Sequence, residues 1–327
     1  MALTWRQAGF WKNDFTLFTY GVKVNPNNFP AQNNLGNYYV SKKMYKEAAY
    51  CYNEVLRINP NDVRGLENMG LLCYDIGDKK RAIYYYSQAL RYNPNSIKSN
   101  FKLGTIYSEQ GDIDKAFGYF SRVTNLDPKH AEAYYNLGVI TAKKGDKEKA
   151  IQYLLTAIKY NPRDAEARSS LGVILMNMGK VHDALQQFNE ALKNDPKNKD
   201  ARAYLTLALN YRKKMDTDIA ILEQKIGKEP DNAGLLQKLA VLYSMSGNNT
   251  KALDALQRFV RIQPDNPDGY YNIACVYAKE GKVDDSIRWL TRSIDKGFRN
   301  WNLLQKDQDL NSIRNTSYYK DLMNKRG

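Results

Sequence analysis

Asn34, Asn68, Lys102 and Asn136 stand 34 residues apart, and Ser170, Tyr204, Lys238 and Asn272 continue the series at that interval. A carboxamide carries both donors and an acceptor, so amides repeated along one surface can hold the backbone of an extended peptide whatever its sequence. Ammonium groups set among them suit carboxylates. That is binding chemistry. Catalytic chemistry is not laid out in the chain: His130 and His182 have no nucleophile or metal-ligand spacing beside them. Gly65 and Gly70 are followed by Leu71, where a phosphate-binding loop requires lysine. The acidic residues form no isolated pair in an apolar setting and read as helix caps or solvated faces. The expectation is a non-enzyme with no metal and no cofactor.

The elements that position these side chains are marked by proline. Pro26, Pro60, Pro94, Pro128, Pro162, Pro196, Pro230 and Pro264 recur every 34 residues, a period that predicts an array of helix–turn–helix units. With proline at place 32, the units are 29–62, 63–96, 97–130, 131–164, 165–198, 199–232, 233–266 and 267–300, preceded by an N-terminal helical half-unit over 1–28 and followed by a helical cap over 301–327. Place 7 is large and apolar (Leu35, Met69, Leu103, Leu137, Leu171, Leu205, Leu239, Ile273). Places 8 and 20 are mostly Gly and Ala, which lets two helices approach closely, and place 24 is aromatic or Leu, which fills the layer between units. Gly77, Gly111, Gly145, Gly179, Gly247 and Gly281 hold place 15, where a helix end often needs positive φ. Asp78, Asp112 and Asp146 follow as predicted N-caps of the second helix.

An array of this kind needs no single central core, so 327 residues do not imply several globular domains. The net charge is +14, and such a surface attracts acidic proteins, anionic membrane surfaces or nucleic acid. No arginine-rich run or RNA-binding motif supports a nucleic-acid partner. Cys51, Cys73 and Cys275 fall at positions expected to face neighbouring helices and read as buried, reduced thiols. No stretch reaches the roughly 18 apolar residues of a membrane span.

The Leu-Gly, Ala, aromatic and Pro places, matched over most of the chain, resemble those of tetratricopeptide repeat (TPR) proteins. The resemblance implies an all-α solenoid wound as a right-handed superhelix, whose first helices line a concave groove through places 2, 5, 6, 9, 12 and 13. It implies protein or peptide binding there. The candidate groove residues are Asn34, Asn37, Asn68, Lys98, Phe101, Lys102, Tyr135, Asn136, Lys238, Tyr271 and Asn272. Tyr74, Tyr211, Met176 and Met245 would add apolar anchors. The place-6 series is similar to the asparagine ladder of glycosyltransferase repeat arms. Asn37, Asn68, Lys98 and Lys102 match four places of the carboxylate clamp of chaperone adaptors, although Asn33 and Lys102 replace its usual first lysine and arginine.

Trp5-Arg6, Trp11, Asn13, Leu17 and Phe18 resemble the junction that joins the last membrane span to a repeat array in protein O-mannosyltransferase-like membrane proteins. That resemblance implies the extracytoplasmic arm of a membrane glycosyltransferase-like protein, tethered in the periplasm or secretory lumen, with any transferase chemistry in a membrane region outside this chain. Two other readings stay open at this point: a free-standing cytoplasmic adaptor, and a structural solenoid that self-associates end to end through the half-unit near Asp14. Unit 199–232 departs from the pattern: Thr206 and Asp218 replace the small pair, and Arg212-Lys213-Lys214-Met215 stands where a glycine turn belongs. A changed helix angle or a longer turn is expected there.

Overall fold

The computed structural model describes residues 13–324, and every regular element in that range is helical. The Trp5–Trp11 stretch lies outside the described residues. The chain divides between Lys144 and Gly145 into two compact units. The first holds α1 (Asp14–Val24), α2 (Phe29–Ser41), α3 (Tyr45–Ile58), α4 (Val63–Asp75), α5 (Lys79–Tyr92), α6 (Ile97–Glu109), α7 (Ile113–Leu126) and α8 (Ala131–Lys143). The second holds α9 (Lys147–Tyr160), α10 (Ala165–Asn177), α11 (Val181–Asn194), α12 (Lys199–Lys228), α13 (Ala233–Met245), α14 (Asn249–Ile262), α15 (Pro267–Lys279), α16 (Val283–Asp295), α17 (Trp301–Lys306) and α18 (Ser317–Asn324).

The helix starts are fixed by side-chain oxygens and one imidazole. Asn28, Asp62, Ser96, His130, Asp164, Asn198, Asn232 and Asn266, all one residue before a first helix, accept a hydrogen bond from an orphan N–H of its first turn. His130 does so through Nδ1, at 3.2 Å from the Ala133 nitrogen, so its role is a cap. Asp78, Asp112 and Asp146 cap the second helices as expected. Lys180, at the equivalent place of α11, makes no cap hydrogen bond.

Within a helix pair the decisive contact joins place 8 to place 24. A Cβ on Gly36 would lie 2.4 Å from the Tyr52 ring, one on Gly104 2.9 Å from Phe120, and one on Gly172 2.6 Å from Phe188. The large residue at place 24 therefore sits on its own first helix, and not only between units as the sequence suggests. At Leu256 and Leu290, where place 24 is the smaller leucine, place 8 is alanine (Ala240 and Ala274), and all four are buried, while Leu154 keeps glycine at Gly138. Place 20 is fully buried at Ala48, Ala82, Ala116, Ala184 and Ala252. The pairs turn through a left-handed residue: Gly77, Gly111, Gly179, Gly247 and Gly281 have φ between 72° and 84°, and Lys43 takes the same place in the first pair at φ 59°.

Unit 199–232 has no such turn. The expected longer turn is absent, and the chain runs as one 30-residue helix, α12. The reason lies in four positions. Lys213 stands where the left-handed glycine would be, and the run Arg212-Lys213-Lys214-Met215 consists of good helix formers. Thr206 and Asp218 replace the small pair, so a folded-back hairpin would press a carboxylate against a helix without a partner. Arg212 and Asp216, 3.0 Å apart one turn on, bridge the place where the chain would reverse. Met215, Ile219 and Ile226 then bury against Leu236, Leu239 and Tyr243 of α13. Glu223 accepts a hydrogen bond from the Tyr243 hydroxyl and pairs with Lys251 at 3.2 Å.

The residues after Asp295 close the second unit. Phe298, Leu304, Leu310, Ile313 and Tyr319 pack with Tyr271, Ala274, Ala278 and Leu290 as one buried cluster.

Three outcomes are expected. Gly104→Ala drives a methyl into Phe120 and should cost about 1–3 kcal/mol in chemical denaturation, the range for overpacking a filled core. Lys43→Gly relieves a left-handed L-residue and should stabilise by about 1 kcal/mol in the same measurement. Hydrogen bonds from Tyr243 and Lys251 hold the Glu223 carboxyl below its ordinary value. Its contribution is therefore present above the unfolded carboxylate pKa and lost as pH falls through the lower folded value. Stability of the wild type should drop more steeply than that of Glu223→Gln on going from pH 5 toward acid, by a small margin because Glu223 is largely exposed.

Candidate functional site

In the first unit, hydrogen bonds tie three successive first helices together along the expected face. Asn33 Nδ2 donates to Asp62 Oδ2 at 3.4 Å, Asn68 Nδ2 donates to Asn33 Oδ1 at 3.1 Å, and Lys98 Nζ donates to Asn68 Oδ1 at 3.4 Å. Lys98 also lies 3.7 Å from Glu67, which accepts from Ser96 and from Ser99 Oγ at 2.9 Å. Places 2, 5 and 6 of α2, α4 and α6 thus share one surface. The network spends Asn68 on the protein: it is buried, with both ends of its amide engaged.

The other expected groove residues of this unit divide into two groups. Asn34, Lys102, Tyr135 and Asn136 are half-buried and Asn37 and Lys98 exposed, so all six reach the surface. Lys102 Nζ lies 5.5 Å over the Tyr74 ring, a cation–π contact, and the Tyr74 hydroxyl donates to Glu109. That hydrogen bond, with burial, pushes the Tyr74 pKa up to about 12. Asn37 Oδ1 accepts from Tyr52 at 2.7 Å, and Asn136 Nδ2 donates to the Glu132 carbonyl at 2.8 Å. Phe101 belongs to the packing, with its ring 5.4 Å from Phe120 and 5.1 Å from His130. The four clamp positions do not converge on one open seat, because Lys98 is held by Asn68 and Glu67 and Asn37 by Tyr52.

In the second unit Lys238 is exposed beside an apolar depression of about 450 Å³ floored by Leu222, Val241 and Leu242. Tyr271 is buried, stacked on Phe298 at 4.4 Å with its hydroxyl donating to Asp307 at 2.6 Å, and serves packing. Asn272 lines a cleft that the sequence does not announce. Two adjoining compartments, about 340 and 190 Å³, lie between the start of α11, the end of α13, α15 and the 3₁₀ turn Gln308–Leu310. Lys180 Nζ is 3.3 Å from Asp309 Oδ1 and Lys279 Nζ 3.9 Å from Asp309 Oδ2, so two ammonium groups share one carboxylate. Lys279 Nζ also donates to Ser244 Oγ at 2.9 Å. Asn249, on the same wall, has a buried Oδ1 with no hydrogen-bond partner among the described residues.

The straight α12 creates this cleft. With no reversal in unit 199–232, the turn of α10–α11 meets the turn of α13–α14 directly. A Cβ on Gly179 would lie 3.1 Å from Met245 Cε, and one on Gly247 2.9 Å from the His182 ring. Lys279 and Ser244 stand at groove-facing places 13 and 12, so the repeat numbering could have found them. Lys180 carries little sequence signal: three units have a capping aspartate at its place, but Lys282 is a lysine there too and likewise makes no cap hydrogen bond. Asp309 belongs to the non-repeating C-terminal segment and has no sequence signal.

The cysteines are not set up as reactive nucleophiles. All three cysteines are free and buried. Burial pushes the Cys51 thiol up to about 11 and raises those of Cys73 and Cys275, away from the thiolate that reactivity requires. Among the described residues no group of three or more His, Cys, Asp or Glu could hold a metal ion, and no helix is long and apolar enough to cross a membrane.

Comparison with known proteins adds the family. A tetratricopeptide repeat model matches residues 101–159, 142–199, 172–233 and 238–297, more than half of the chain, and two further tetratricopeptide repeat models match 29–62 and 63–96. A search of curated proteins returned no match. Among solved structures, MamA is 25% identical over 52% of this chain and 92% of its own, with a TM-score of 0.47. YrrB, described as a TPR protein with an unusual peptide-binding site, is 22% identical over 67% of this chain and 95% of its own, at 0.42. PilF of Pseudomonas aeruginosa is 15% identical over 72% of this chain and 92% of its own, at 0.49. With its helix pairs, its glycine–aromatic contacts and the family match over more than half its length, the chain belongs to the tetratricopeptide repeat family.

Proposed function

We propose that this chain is a non-catalytic scaffold that holds a partner protein in extended form along the first-helix face of residues 34–136. The carrying observation is the Asn33–Asn68–Lys98 run, which locks three successive first helices side by side. Asn34, Asn37 and Lys102 on those helices, with Tyr135 and Asn136 on the next first helix, then offer amides, an ammonium group and a ring that reach the surface. Such groups suit a peptide backbone and its acidic side chains. The tetratricopeptide repeat family, a scaffold fold for protein binding, supports the same reading.

For the setting, we propose the extracytoplasmic arm of a membrane glycosyltransferase-like protein. Its support is the sequence of Trp5, Arg6, Trp11, Asn13, Leu17 and Phe18. A reading frame with several apolar spans upstream of Leu3 is the expected finding, and an in-frame stop codon there would overturn this setting without touching the scaffold reading.

The scaffold itself is tested by photo-cross-linking. A benzophenone amino acid at Asn34, Lys102 or Asn136 should capture partner protein from the native source, whereas the same group at Tyr50 or Tyr84, exposed on second helices, should not. Capture only from the second-helix positions would refute the assignment of the face. Once a partner is identified, Lys102→Glu should weaken its binding by more than about 1 kcal/mol if this lysine is among the few groups that dominate the interface.

A further inference from the structure

We propose that the cleft between α11, α13, α15 and the Gln308–Leu310 turn is a second peptide site, one that takes a carboxylate adjacent to an apolar side chain. The inference rests on the peptide-binding reading of the family but concerns a cleft in the second unit, where groove-facing Ser244, Asn272 and Lys279 meet Lys180 and Asp309 from outside the repeating groove, beside the straightened unit 199–232.

The polar requirement comes from three groups. Lys180 and Lys279 bring two positive charges to one carboxylate, and each uses a different oxygen of Asp309. Both side chains are only 23% exposed, and Lys180, half-buried as a whole residue, is less screened in its attraction for an anion than a surface lysine, whereas Lys279 stands at an exposed position at the end of α15. Each ammonium has three donors, and at 3.9 Å the Lys279–Asp309 pair is too long for a hydrogen bond. A second carboxylate would complete the set. The remaining carboxylate of the lining, Asp183, is exposed to water and weakens the field less than its charge alone suggests. A peptide supplies such a carboxylate at its chain end or on an acidic side chain, with an apolar side chain next to it.

The apolar requirement comes from the smaller compartment. Val241, Leu256 and Val276 line it together with Met178 and Met245, whose unbranched side chains adapt to differing shapes. At about 190 Å³ it accommodates one aliphatic side chain rather than a drug-sized ligand. The shared lining of Lys180, Ser244, Met245, Lys279 and Asp309 joins the two compartments, so a carboxylate and its neighbouring side chain can enter both at once. Chain ends with an apolar last residue and internal acidic residues beside an apolar one carry the same chemistry, and the test separates them.

The experiment measures fluorescence anisotropy of the full chain with three labelled hexapeptides: one ending in leucine with a free carboxylate, its C-terminal amide, and an amidated peptide with glutamate beside the leucine. The free-carboxylate probe should bind and the plain amide should not. Binding of the glutamate peptide would extend the site to internal acidic residues, and its failure would restrict the site to chain ends. Lys180→Asn supplies a capping residue of the kind Asn248 provides for α14, so α11 should remain folded. Lys180→Asn and Lys279→Gln should each weaken binding at least about tenfold, the weight of one charge-assisted hydrogen bond. Asp309→Asn should tighten it several-fold by freeing both ammonium groups, with thermal unfolding confirming that the C-terminal segment stays docked. Binding of neither carboxylate probe would overturn the proposal. So would binding that ignores Lys180→Asn and Lys279→Gln, an outcome that leaves peptide binding on the first-helix face intact.

Discussion

The contact of a large side chain with a bare backbone governs this structure. Tyr52, Tyr86, Phe120 and Phe188 lie on Gly36, Gly70, Gly104 and Gly172 so closely that a methyl group would displace the rings. The rings are fully or almost fully buried, and dispersion over such a surface is large in sum although each atom pair gains little. The contact requires the chain to reverse within a few residues, which the left-handed place-15 residue provides. Helix pairing, the register of successive pairs and the shared first-helix face all depend on that combination.

Unit 199–232 has lost the combination, and its path changes accordingly. It still keeps the 34-residue interval, and the family match runs through it from 172 to 233. Without a glycine to turn on, and with a threonine and an aspartate in the two small places, its second half gains more by continuing the helix and burying Met215, Ile219 and Ile226 on α13 than by folding back. Its place-24 residue, Leu222, packs against that neighbouring cluster and not on its own first half. The two adjoining turns are thereby brought together, and with them Lys180, Ser244 and Lys279. One failed turn makes a cleft that the regular array would not contain.

The polar interior of the first-helix face obeys a different rule. Asn68 is buried because Asn33 and Lys98 satisfy it, and the more enclosed Glu67 is balanced by the exposed Lys98 and by the hydroxyls of Ser96 and Ser99. These residues hold the helices in register, while Asn34, Asn37 and Lys102 beside them reach the surface. In the proposed scaffold role, groups held by rigid polar ties would have less conformational freedom to lose on binding.

Most of the helices, their caps and the buried places were legible in the sequence, because each rests on local chemistry repeated at a fixed interval. Asp78 caps a helix, Gly111 turns one and Ala116 lets two approach for reasons that involve a few residues at most. Which groove residues reach the surface was not legible: the same asparagine that could face a peptide at Asn34 is consumed at Asn68, and the same aromatic place is half-exposed at Tyr135 and buried at Tyr271. Those outcomes depend on neighbours one unit or more away. The turn of unit 199–232 lies between the two, since its altered residues were visible but the choice of a straight helix is made by what α13 offers its second half. Asp309 marks the limit. Nothing in its local sequence connects it with Lys180, more than a hundred residues earlier, and only the packing of the C-terminal segment onto α15 places its carboxylate between two lysines.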